Sequence, residues 1–229
     1  MGRAFDGSYA EYALLSNEQI YPVDSQLSCS ELAAVPETYY TTFGSFKNLQ
    51  IKEGDSILVR AATSGVGLAF LKLVKAQFPQ NRVVGAVRSL AKKDLLQYLG
   101  FDEIILDAKG VLQIEEKFDK ILELVGPATL KNSFDHIQSA GIICNTDQLG
   151  GKWYVEEFDP IVEIKNNSFL TSFYSGNVSQ QLIDELFSYI DAYQINLSSQ
   201  RIFSLEQIPA AHSYIESQAG FGKVVVLND

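Results

Sequence analysis

Cysteine is nearly absent: Cys29 and Cys144 are the only two thiols in 229 residues, too few and too widely spaced for a disulfide framework or a metal knuckle. Histidine is equally scarce. His136 and His212 each lack a partner at metal-binding spacing, so packing or surface roles are expected and no metal site is predicted. No apolar run approaches the roughly 20 residues that cross a bilayer, and the start lacks the basic and apolar stretches of a signal peptide. Positive charge is also short. Lys and Arg number 18 against 28 Asp and Glu, a formal charge of -10, which leaves no broad basic face for nucleic acid. There is no G-x-S-x-G nucleophile elbow, no repeat and no low-complexity tract. These absences predict a cytoplasmic protein in a reducing compartment, without membrane or nucleic-acid partners.

What is present suits an enzyme-sized globular chain. Apolar residues make up 46% and charged residues 20%, enough for one large domain or one and a fraction. From Ile57 to about Thr146, short β-prone runs alternate with helical stretches. "SILVR", "RVVGAV", "EIIL", "KILELV" and "GIICNT" read as strands. "GLAFLKLVKAQF", a helix capped by Ser89 and ending at Gly100, and "ATLKNSFDHIQ" read as helices. This alternation predicts an α/β Rossmann fold, a doubly wound parallel sheet that binds ligands at the carboxyl ends of its strands.

The stretch "LVRAATSGVGLAF" lies at one such end, where a strand runs into a helix. In a dinucleotide-binding turn, three small residues permit the bend, the approach of the pyrophosphate and the close packing of helix on strand. Gly67 keeps the third role, while Ala62 and Ser64 occupy the first two positions. The Ser64 hydroxyl can donate to a phosphate, and the amides from Gly65 to Leu68 would point at an anion on a helix N-terminus. Alone, the motif is equally compatible with a plain strand-to-helix turn.

The end of the next strand favours the functional alternative. An NAD-specific fold carries an acid there, about twenty residues on, to hold the ribose 2'-hydroxyl. This chain has "VRSLAKKD" instead, with Arg88, Ser89, Lys92 and Lys93. A guanidinium matches a phosphate in bidentate geometry, so the cluster suits the 2'-phosphate of NADPH. The alternative is a solvated basic helix start, which the helix dipole would disfavour.

Taken together, "GSYAEYALLSNEQIYPVDSQLSCSELAAVPETYYTTFGSF", "RAATSGVGLA", "VRSLAKKDLLQYLGFDEII", "ILELVGPATL" and "GKVVVL" resemble the zinc-free quinone oxidoreductase branch, zeta-crystallin-like, of the medium-chain dehydrogenase/reductase family. The resemblance runs nearly the whole length in the family's order. It implies a remnant of a GroES-like substrate domain at residues 1–35, an NADP-binding Rossmann domain at 36–196 and a return segment of the substrate domain at 197–229. Most of the GroES-like domain is expected to be missing from this chain.

The resemblance also implies residue roles. Thr41 would lie beside the nicotinamide; Ser64, Gly65 and Val66 on the pyrophosphate; Arg88, Ser89 and Lys93 on the 2'-phosphate; Val125 and Gly126 near the adenosine ribose. Thr146 to Leu149 and Phe169 to Thr171, Leu170 among them, would border the nicotinamide. Asp147 stands where relatives usually carry Gly, which predicts an altered environment for the ring. The region "AAVPETYYTTF", where zinc alcohol dehydrogenases place a ligand, offers neither Cys nor His. The expected reaction is therefore metal-free hydride transfer from NADPH to a small-molecule quinone or α,β-unsaturated carbonyl. No catalytic acid or base can be assigned. A truncated NADPH-binding fragment without independent catalysis and a relative of the zinc-type alcohol dehydrogenases are the alternatives.

Three further readings concern structure. Tyr39 and Tyr40 reach a substrate cleft or pack a helix. Asp6 and Glu11 suggest paired acids, but the alternation through Tyr9 and Tyr12 is that of a half-buried strand. "NNSFLTSFYSG" reads as an edge strand with large apolar groups on both faces, and a homodimer is expected through residues 168–174, a mode common in the family.

Overall fold

Ile57, Leu58 and Val59 are completely buried, and the strand they form, β1 (Ile57–Arg60), is the centre of a seven-stranded sheet. The structure is a computed structural model that describes residues 9–217 and 223–228. Its sheet comprises β1, β2 (Val83–Val87), β3 (Glu103–Ala108), β4 (Val111–Leu112), β5 (Phe118–Glu123), β6 (Ile137–Asn145) and β7 (Phe169–Ser172). The spatial order is β4-β3-β2-β1-β5-β6-β7, parallel throughout except for the β3–β4 hairpin. Strands added outward from β1 in both directions make a doubly wound sheet. The Rossmann expectation holds.

The strands read as near-continuous apolar runs because both faces are covered. Leu58, Val84, Ile105, Ile121 and Ile143 meet Phe134 in one buried cluster. The helices of the chain are α1 (Cys29–Ala34), α2 (Tyr40–Leu49), α3 (Gly65–Gln77), α4 (Lys93–Tyr98), α5 (Leu130–Asp135), α6 (Pro160–Glu163), α7 (Gln180–Tyr193) and α8 (Ile208–Glu216). Ser64 caps α3 and Ser28 caps α1, each accepting from a backbone N–H of the first turn.

The chain divides into two compact units. One, residues 42–174, holds the seven-stranded sheet with α3 to α6. The other, residues 1–41 with 175–229, holds α1, α7, α8 and a parallel pair, β8 (Arg201–Ser204) with β9 (Val224–Leu227). Asp6 and Gly222 lie outside the described residues. Within the second unit Tyr39 and Tyr40 are packing residues. The Tyr39 hydroxyl donates to Asn196 O at 3.4 Å and that of Tyr40 to Asn177 O at 3.1 Å. Burial pushes the Tyr39 phenol up to about 12.

Two local expectations need correction, and one element is new. The helix expected through Gln138 ends at Asp135, because the His136 carbonyl accepts from Phe118 N at 2.8 Å and opens the β5–β6 pairing. His136 is the helix cap, and its Nδ1 lies 3.0 Å from Glu116 O. Tyr9 to Tyr12 form an exposed bend, not a half-buried strand, since no strand among the described residues pairs with them. Tyr9 instead places its hydroxyl 2.9 Å from His212 Nε2. The hairpin β3–β4 was not expected: Lys109 and Gly110 take φ of 54° and 85°, the two-residue turn that suits the strand twist.

Candidate functional site

At the carboxyl ends of β1, β2, β3 and β5, inside the sheet-bearing unit, lies a cleft of about 360 Å³. Ser64, Arg88, Val125 and Leu149 line it, as does Asp107, which sequence reading did not single out. The chain enters the cleft through a tight bend at Ala61, whose φ of 60° is rare for a residue with a side chain. Ser64 N donates to Ala61 O at 3.0 Å and closes the turn.

The bend delivers Ser64 to the start of α3. Its Oγ accepts from Gly67 N at 3.0 Å, so one of the helix's free amides is already satisfied. The hydroxyl proton remains available to an anion, and the Gly65 and Val66 amides sit in the same first turn. A Cβ on Gly67 would meet Ala61 O at 3.0 Å and Ala62 O at 3.1 Å, so helix and strand approach as a phosphate-binding turn requires.

Arg88 and Ser89 follow β2 and are exposed; Ser89 caps the short turn Leu90–Lys92, after which Lys93 begins α4. Val125 and Gly126 follow β5. Gly126 has φ of 86°, and a Cβ there would lie 2.5 Å from Asp147 O, so the loops after β5 and β6 touch. Asp147 Oδ1 accepts from Gln148 N at 2.8 Å and is engaged within its own loop. Thr146 lies beside Ser45, with 2.9 Å between their hydroxyls, and Leu170 pairs with Ile143 on β7. Thr41 occupies the first turn of α2, in the other unit. The cleft therefore gathers Ser64, Arg88, Val125 and Leu149; Thr41, Gly65, Val66, Ser89, Lys93, Gly126, Thr146 and Leu170 are not among its lining residues.

Behind the cleft stands a charged network absent from the sequence reading. Arg60, at the end of β1, is completely buried. Its Nε and Nη2 donate to Asp107 Oδ2 at 3.1 and 2.7 Å, and Nη2 also reaches Gly110 O at 3.1 Å. Nη1 donates to Thr129 O, Asn132 Oδ1 and Ser133 Oγ at 3.0–3.2 Å and lies 3.7 Å from Glu123 Oε2. Glu123, also completely buried, accepts from Val125 N, Gly126 N and Ser133 Oγ. One cation thus ties the ends of β1, β3 and β5 together and fixes the loops that shape the cleft.

Among the described residues no three His, Cys, Asp or Glu side chains assemble as metal ligands, and no helix is long and apolar enough to cross a membrane. The two thiols differ: Cys29 is exposed, whereas Cys144 is buried and its pKa is raised by burial. Only the exposed thiol should react rapidly with an alkylating reagent in the folded chain. Peptide mapping should find the label on Cys29; rapid native labelling of Cys144 would contradict this packing.

A family profile described as zinc-binding dehydrogenase matches residues 99–226. The chain is 25% identical to probable polyketide synthase 14 of Dictyostelium discoideum over 95% of its own length and 8% of that protein's. It is 25% identical to 2-methylene-furan-3-one reductase of Solanum lycopersicum, over 96% of the chain and 52% of the relative. It therefore spans a small part of the first and about half of the second. Among solved structures, the NAD-bound Bacillus subtilis protein YhfP superposes with a TM-score of 0.80 at 22% identity, over 97% of this chain and 70% of that one.

Proposed function

The chain belongs to the zinc-binding dehydrogenase family, and from that premise we propose that it binds NADPH in the cleft and serves an oxidoreductase that reduces a quinone or an α,β-unsaturated carbonyl. Arg88 carries the cofactor preference: it lines the cleft at the end of β2, where an acid would select NAD. Its exposed guanidinium would pair with the 2'-phosphate, with Ser89 and Lys93 alongside. The Ser64 hydroxyl and the Gly65 and Val66 amides would hold the pyrophosphate against the positive end of α3. Val125 and Gly126 would flank the adenosine ribose. Thr146, Leu149 and Leu170 are proposed to border the nicotinamide end.

Bound NADPH supplies the hydride for such a reduction. This chain's own residues bind, orient and shield. The proposed reaction uses no metal, a reading supported by the stretch "AAVPETYYTTF", which offers neither Cys nor His; hydrogen-bond donors and water would meet the developing oxyanion. A reduced, cytoplasmic setting suits the free thiols of Cys29 and Cys144. Association as a homodimer through β7 is supported by its position at the sheet edge, with Phe169 and Leu170 exposed.

Fluorescence titration tests the cofactor assignment. NADPH should bind more tightly than NADH, and Arg88→Ala should remove about 1.5–3 kcal/mol of NADPH affinity by deleting a charged phosphate contact. Equal affinities for the two cofactors would overturn the preference. NADPH binding without turnover of a quinone or enone would identify a nucleotide-binding module instead of a complete enzyme.

A further inference from the structure

Asp107 has one carboxylate oxygen in use and one unaccounted for. Oδ2 takes both bonds from Arg60. Oδ1 is buried and has no hydrogen-bond partner among the described residues, although Asp107 as a whole is 5% exposed and lines the cleft. A buried acceptor left unpaired is costly and uncommon in a folded protein, so such an atom on a residue that lines a binding cleft points to a donor that arrives with the ligand.

The position of the residue narrows the donor. Val87 of β2 is in register with Leu106 of β3, so Arg88 and Asp107 are level at adjacent strand ends. Neighbouring strands are about 4.8 Å apart, which puts Asp107 one strand outward from the subsite proposed for the 2'-phosphate. A phosphate offers only acceptors and would be repelled by the carboxylate. The ribose 2'-oxygen is itself occupied by phosphate in NADPH. The donors left on the adenosine are the ribose 3'-hydroxyl and the exocyclic amine of the base, and the lining beside Asp107 favours the second. Ala86, Val87 and Val125 on the same cleft present apolar surface suited to a flat ring.

We propose that Asp107, held by buried Arg60, is the base-specificity residue of this cleft and accepts a hydrogen bond from the adenine 6-amino group. The proposal rests on the cofactor reading above. Arg60 is its positioning residue: it anchors Oδ2, orients Oδ1 and offsets the negative charge near a phosphorylated ribose. A base carrying a carbonyl at the same carbon would set acceptor against acceptor and be rejected, because discrimination follows from the unpaired group in the wrong complex.

The test compares NADPH with its reduced hypoxanthine analogue, which differs at the base alone, by fluorescence titration of the unmodified chain. The analogue should bind at least about tenfold more weakly, the usual consequence of leaving a buried acceptor unpaired. Asp107→Asn, whose amide can present N–H to the hypoxanthine carbonyl, should bring the two affinities close together. Equal binding of both cofactors by the unmodified chain would overturn the proposal while leaving NADPH binding intact. A folded Asp107→Asn variant with an unchanged ratio would overturn it as well. Binding of neither cofactor would overturn the cofactor reading and this assignment together. Should the variant not fold, the comparison on the unmodified chain decides.

Discussion

Replacing Arg60 by Met should destabilise the chain by about 3–5 kcal/mol, the usual cost of removing one partner from a buried ion pair. Methionine fills much of the volume but supplies no donor. Asp107 Oδ2 would lose both of its bonds from Arg60, Glu123 would lose its only nearby cation in the network, and the Thr129 and Gly110 carbonyls would lose theirs. Lysine should not restore stability, because an ammonium on a flexible stem cannot reproduce a planar fork that reaches acceptors on three sides. Chemical denaturation followed by circular dichroism measures the difference. A loss below about 1 kcal/mol would show that the network contributes no more than an exposed ion pair.

Ser64→Asp should produce the largest effect on binding while sparing the fold. Aspartate caps helices as well as serine does, and its charge suits the positive end of α3, so stability should hold or rise slightly. The same charge would face the pyrophosphate. Two like charges about 4 Å apart at an effective dielectric near 20 repel by about 4 kcal/mol, so NADPH affinity should fall by a factor of about a hundred to a thousand. Ser64→Ala, which loses the cap but adds no charge, should weaken binding far less. Titration of both variants with NADPH, beside their thermal midpoints, separates the two effects. Unchanged affinity in a folded Ser64→Asp variant would place the phosphates elsewhere.

Local signals were legible and long-range ones were not. The β1–α3 turn shows itself in "VRAATSGVG" because strand, bend, cap and helix start are contiguous, and the structure adds only that the bend falls on Ala61 and that Ser64 caps its own helix. Arg88 was legible for the same reason: its meaning depends on standing just after a strand. Arg60 was not, since at the end of "SILVR" it looks like any solvated strand terminus. Its partners Asp107 and Glu123 are distant in sequence, and only the sheet order brings β1, β3 and β5 side by side. A signal existed: the apolar runs "SILVR", "EIILD" and "KILE" all end in a charge, which in a parallel sheet puts those charges at one edge. β4 escaped notice because two residues carry no periodicity, and the helix predicted through Gln138 failed because sheet pairing at Ile137 outweighs helical propensity.

The cleft at the ends of β1, β2, β3 and β5 is proposed to hold a 2'-phosphorylated dinucleotide. Hydrogen–deuterium exchange of the chain with and without saturating NADPH tests it most directly. Slowed exchange is expected in the segments 61–68 and 86–93. Protection confined to segments away from the cleft, with residues 61–68 unaffected, would contradict it.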